Sequence, residues 1–181
     1  MRLSLSTALL AFPMLVLAGC DTSVTPVYQT SSQNTISLQP VAAAGKRAKV
    51  QKFLVAEGVN TQPTCRLAGP IDVGGGQTAA QALQEAITAE FLAAGLYSDR
   101  GTPLTVTLTN MKVDTFSGYW DLAAVVQSPK LPAGYTVTTR YEYKTSFSAY
   151  SACPNAALAF NRAASAFINQ IVTNPKFRTA I

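Results

Sequence analysis

Histidine is absent from this chain of 181 residues. That gap removes Ser-His-Asp and Cys-His catalysis and His-ligated metals, and leaves no side chain whose unperturbed pKa lies near neutrality. Charge is scarce as well. Charged residues are 13% of the chain and the nine acidic ones are scattered, so no carboxylate pair or metal-ligand spacing can be picked out. Serines and tyrosines are abundant but have no base beside them. The expectation is a protein that is not an enzyme and holds no cofactor and no metal. An apolar run long enough to span a membrane, about 20 residues, is also missing: the stretch 9–18 is shorter and is interrupted by Pro13.

That short stretch ends in Leu17-Ala18-Gly19-Cys20 and follows a charged start at Arg2. Leucine, two small residues and cysteine form the cleavage box of a bacterial lipoprotein signal peptide. The peptidase admits only small side chains before the cut, and the cysteine thiol must be free to take a diacylglycerol. An ordinary secretory peptide would end in an Ala-x-Ala-like site with no reason for the cysteine. Residues 1–19 are therefore expected to be removed and Cys20 to be lipidated, anchoring the chain in a membrane through its acyl chains.

Residues 20–181 are one domain's worth of chain, and hydrophobic content of 48% fits a folded body. Without Arg2 the chain has thirteen basic and nine acidic side chains, a formal +4. The excess is modest, and with an export signal it argues against nucleic acid as a partner. The local concentration Lys46, Arg47, Lys49 and Lys52 reads either as a solvated strand entry or as a contact for anionic headgroups. Lipidation uses one of the three cysteines, which leaves Cys65 and Cys153 as an even pair in an oxidising setting. A disulfide is expected, with two buried free thiols as the alternative.

Residues 21–45 are rich in Thr, Ser, Gln, Val and Pro without helical or strand period, so 20–47 is read as lipidated cysteine plus polar tether and 48–181 as the globular domain. Residues 50–56 read as a strand. Gly74-Gly75-Gly76 lacks the Lys-Ser/Thr of a phosphate loop and reads as a turn into a helix. That helix, 79–94, is capped by Thr78 with Gln81 three residues on, closed by Gly95, and striped by Leu83, Ala86, Ile87, Phe91 and Ala94. Glu85 falls on its wet side, and Glu90 at the edge of the stripe is ambiguous. Three strands follow. Leu104, Val106 and Leu108 alternate with threonines before the phase slips to Met111 and Val113, predicting a bulge near Asn110. After the turn Phe116-Ser117-Gly118, strand 119–127 puts Trp120, Leu122, Ala124 and Val126 on one face. Pro129, Pro132 and Gly134 supply the next loop. In 135–147, Tyr135, Val137, Tyr141, Tyr143 and Phe147 face a core, while Arg140, Glu142 and Lys144 form a solvated charge row. A last helix, 155–172, starts just after Cys153 and buries Phe160, Ala163, Ala164, Phe167, Ile168 and Ile171, with Asn174-Pro175 as its stop. The expected fold is α+β, a mostly antiparallel sheet of about four strands with two helices packed on one face.

A lipobox, a polar tether, then strand, helix, three strands and helix, carried by pieces 82–95, 104–113, 135–147 and 156–172, resembles the small Gram-negative envelope lipoproteins. Among these are the YajG-type proteins and the auxiliary lipoproteins of lipopolysaccharide assembly and ABC-type lipid transport. The resemblance implies helices on a sheet and a non-enzymatic role; the cysteine pair departs from the YajG-type pattern. The resulting expectation is a membrane-anchored envelope lipoprotein that docks on another envelope protein through a sheet edge or the wet strand face. Tyr119, Trp120, Arg140, Lys144 and Tyr150 are its candidate contacts. The alternative is a periplasm-facing module that holds a lipid or glycolipid between helices and sheet. The outer membrane, facing the periplasm, is preferred to the inner one, although Asp21 resembles an enterobacterial inner-membrane retention signal.

Overall fold

Where strand, helix and strand follow in sequence, a helical crossover returns the chain to pair in parallel, and this chain begins its sheet that way. The computed structural model describes residues 27–66 and 68–181. The signal segment 1–19, Cys20 and Asp21 lie outside the described residues. The element order is α1 (Ser32–Ala43), β1 (Ala48–Val55), α2 (Ala79–Ala93), β2 (Thr102–Asp114), β3 (Tyr119–Ser128), β4 (Leu131–Glu142), α3 (Ala149–Thr173) and α4 (Phe177–Ala180). The strands lie in that order in one sheet. β1 runs parallel to β2 across the crossover through α2, and β2–β3–β4 form an antiparallel meander. The sheet is therefore mixed and not mostly antiparallel, and among the described residues four helices accompany it where two were expected.

Local signals explain most of the elements. Thr78 and Gln81 form the reciprocal capping box of α2, with the Gln81 amide donating to Thr78 Oγ1 and the Thr78 amide to Gln81 Oε1. Gly95 at φ +69° closes that helix in the left-handed region that glycine tolerates. The register slips between Leu108 and Asn110, where the apolar phase of the sequence slips. The α2 stripe and the α3 stripe both pack into the apolar face that Leu104, Val106, Leu108, Trp120, Leu122, Ala124, Val126 and Val137 present, in a single core.

Other elements depart from the sequence reading. Residues 32–43 of the expected tether are helix α1, which buries Asn34, Leu38 and Val41 against α2 and α3. The tether therefore cannot extend to residue 47. The third meander strand ends at Glu142 rather than at residue 147, and Phe147 stands fully in solvent. Its entry is tighter than expected: Pro132 and Gly134 lie inside β4, and Pro129-Lys130 alone make the turn. α3 starts six residues early, at Ala149 and not at 155, so Cys153 sits within the helix and Pro154, in its second turn, forgoes the bond that an amide there would give to the Tyr150 carbonyl. The expected disulfide is present, Cys65 to Cys153 with Cα atoms 5.6 Å apart. It staples the first turns of α3 to the loop between β1 and α2.

Candidate functional site

Among the described residues β4 pairs with β3 alone, so its far side is a free sheet edge there. Edge strands are where chains add a partner or must be defended from one. Between the end of β4 and α3 lies a groove of about 940 Å³, its two walls joined where Asn155 Nδ2 donates to the Lys144 carbonyl at 3.1 Å. Tyr141, Glu142, Tyr143 and Lys144 form one wall, Asn155, Leu158 and Arg162 of α3 the other, and Gln29 and Thr30 close one end. A half-buried tyrosine pair, opposed charges and the exposed Gln29 amide give it the mixed character of a polar recognition surface.

The segment that closes the groove is fixed by a polar cluster in the helical layer. Glu90 on α2 is fully buried. Its Oε1 accepts from Tyr28 Oη at 2.5 Å, the Ser31 amide at 2.8 Å and Asn34 Nδ2 at 3.1 Å. Asn34 Nδ2 also reaches the Ser165 carbonyl at 3.1 Å, and Asn169 Nδ2 donates to Asn34 Oδ1 at 3.0 Å. Three helices thus meet at one asparagine. Burial, reinforced by the Glu90 acceptor, drives the Tyr28 phenol well above its usual range, so it stays a donor at any physiological pH. Glu90→Ala takes the acceptor from the half-buried Tyr28 hydroxyl and Ser31 amide and one of two acceptors from the buried Asn34, and is expected to lower stability by about 2–3 kcal/mol. It should also speed amide exchange through residues 28–41 before the sheet is affected. A urea titration with hydrogen-exchange mass spectrometry reads both; unchanged exchange in that segment would mean that Glu90 does not hold it.

The sequence-derived contact residues do not gather in one place. Trp120 is removed from the candidates: it is fully buried, its indole N–H donates to the Ala156 carbonyl at 2.9 Å, and Phe160 meets its ring at 5.2 Å. Its strand phase points it into the core. Tyr119 and Arg140 lie on the open sheet face. There Arg140 binds Asp121 through two contacts of 2.7 Å and stacks 4.1 Å from the Tyr119 ring centroid. The Arg140 guanidinium holds the Asp121 carboxyl below the usual carboxylate range. The pair is a cross-strand one, since the two residues stand opposite each other in register, so Arg140 is committed within the sheet. Lys144 lines the groove, and Tyr150 stands exposed on the first turn of α3.

No family model matches the chain, and no curated protein matches it. A solved structure of a protein described only as uncharacterized superposes with a TM-score of 0.40 at 11% identity, over 70% of this chain and 92% of its own. At that distance it informs neither function nor residue roles.

The shifts that the fold imposes on titrating groups run away from neutrality. Burial and the Asp114 carboxylate push Tyr143 up to about 12, burial raises Tyr135, and the Ser117 and Phe116 amides hold Asp114 low. Among the described residues no three Cys, Asp or Glu side chains lie together as metal ligands would, and no helix is long and apolar enough to cross a membrane. What the groove offers is hydrogen bonding, stacking and charge. The sequence reading named Lys144 but missed Asn155, Leu158 and Arg162, because their helix was expected to start at 155 and its outer face carried no pattern beyond solvent.

Proposed function

We propose that this protein is a lipid-anchored bacterial envelope lipoprotein, non-enzymatic, that serves as an accessory or assembly partner of another envelope protein. Residues 1–19 are its signal peptide, and the acyl chains on Cys20 hold it in a membrane, with the outer membrane, facing the periplasm, preferred. The observation that carries the docking role is the free edge of β4 opening onto a groove of about 940 Å³ walled by Tyr141, Tyr143, Lys144 and Arg162. An extended segment laid there would gain main-chain hydrogen bonds from the edge and side-chain contacts from the groove. Since α1 and the strap before it are folded onto the body, only the six residues 21–26 separate Cys20 from Val27. The groove is therefore kept near the membrane, where an envelope partner is met.

A photo-crosslinking residue placed at Lys144 or Arg162 in living cells is expected to give one discrete protein adduct, and the same residue at Leu54, on the opposite sheet edge, none. A ladder of weak adducts equal at all three positions would remove the docking role. Radioactive fatty acid should label the native chain and not Cys20→Ala; equal labelling would remove the anchor. A second reading, a glycolipid-binding module, draws support from the exposed Gln29 amide at the same groove. It would be favoured by a glycolipid retained in native mass spectrometry. The space between helices and sheet is filled by Leu83, Ile87, Phe91, Trp120, Phe160 and Phe167, each almost or fully buried, so an acyl chain held there has no support.

A further inference from the structure

At one end of the molecule three aromatic side chains stand in solvent: Phe116 at 73% exposure, Phe147 at 103% and Tyr150 at 79%. They come from the β2–β3 turn, the β4–α3 loop and the first turn of α3, and they are braced together. The Arg66 guanidinium sits 4.3 Å from the Phe116 ring centroid and donates to the carbonyls of Thr115 at 2.9 Å, Ser146 at 2.7 Å and Phe147 at 2.5 Å. Asp114 Oδ1 accepts from the Phe116 and Ser117 amides. Gly118 lies so close to Tyr143 that a Cβ would strike its carbonyl, and the Tyr143 amide donates to Gly118 at 2.7 Å. The neighbouring Cys65–Cys153 bond ties α3 to the Arg66 loop. The backbone under Phe116 and Phe147 is thus pinned by hydrogen bonds, while Tyr150 stands on the first turn of α3.

We infer that this aromatic pole is a second membrane contact, seated in the interfacial layer of the same bilayer that holds the acyl chains. The inference rests on the lipid-anchored reading and deepens it. Tyrosine favours the headgroup boundary, phenylalanine enters the acyl boundary just beneath it, and basic residues beside them favour anionic lipid. Arg66 lies against the Phe116 ring, Lys144 is exposed three residues before Phe147, and the carboxylate of the β2–β3 turn, Asp114, is turned back onto its own turn. The length of chain outside the structure argues for lipid as the occupant. From Cys20 to Val27 an extended chain reaches at most about 25 Å. The Val27 carbonyl accepts a long contact of 3.5 Å from Asn161 on α3, and Tyr150 lies about 16 Å back along the same helix axis. A body on so short a leash cannot stand far from the bilayer, and the end that carries these rings is within reach of its surface.

The test uses the full acylated chain in vesicles of phosphatidylethanolamine and phosphatidylglycerol, a fraction of whose acyl chains are brominated. Phe147→Trp adds an indole at a fully exposed position, while the enclosed Trp120 supplies a constant background. The added fluorescence is expected to shift to shorter wavelength and to fall about twofold with brominated lipid, as for an interfacial indole. Leu54→Trp, on the far sheet edge, is expected to be unaffected. Three results overturn the inference while the anchor stands: protein that floats with the vesicles but shows water-exposed, unquenched emission; equal quenching at both positions; or a shift seen only in native membranes, which would assign the pole to a protein partner. Protein that stays in the aqueous fraction overturns the anchored reading and this inference with it.

Discussion

Trp120→Ala is expected to lower unfolding free energy by about 3–5 kcal/mol. The side chain is fully buried at the centre of β3, flanked by the Phe160 ring at 5.2 Å, and its indole N–H is satisfied by the Ala156 carbonyl at 2.9 Å. Truncation removes the largest buried side chain of the core, leaves a cavity between sheet and α3, and breaks a buried hydrogen bond worth about 1 kcal/mol. For a domain of this size the melting temperature should fall by roughly 10 °C or more. Urea unfolding followed by far-ultraviolet dichroism measures it; a change below about 1 kcal/mol would contradict the placement of the ring. Trp120→Phe separates the two contributions, because it keeps most of the packing and loses only the donor.

Replacing both cysteines of the Cys65–Cys153 bond by serine is expected to produce a comparable loss. The bond joins residues 88 apart, and restoring the freedom of a loop that long to the unfolded chain amounts to about 4–5 kcal/mol in the chain-entropy model. Cys65 is itself buried, so a serine there also places a hydroxyl in an apolar site. The loss should be seen as a lower urea midpoint in Cys65→Ser/Cys153→Ser. A midpoint equal to that of the native chain would mean that the loop is already constrained when unfolded. The first turns of α3 and the Arg66 loop should loosen first, since no other covalent link holds them together.

The capping box at Thr78, the bulge near Asn110, the meander and the apolar stripes of both long helices could be read from residue order because each rests on a local pattern. So did the cysteine pairing, by elimination. What failed has a common cause. α1 contains only Leu38 and Val41 as buried apolar residues, and its third buried position is Asn34. A helix held by a polar side chain has no apolar period to announce it. Glu90 looked ambiguous on its own because its partners Tyr28, Ser31 and Asn34 lie more than fifty residues away. The groove residues Asn155, Leu158 and Arg162 were unremarked, since a solvated helix face and one wall of a recess look alike in sequence.

The residues alone determined that histidine-based chemistry is excluded, and that two amphipathic helices and a meander must share a core, since each apolar face needs a cover. Only the tertiary structure decided that β1 joins in parallel, that Trp120 is sealed inside while Phe116, Phe147 and Tyr150 stand out, and that the strap ahead of β1 is part of the body. Strand direction, and which aromatic is buried, depend on what lies across the interface, and one-dimensional order does not contain that neighbour.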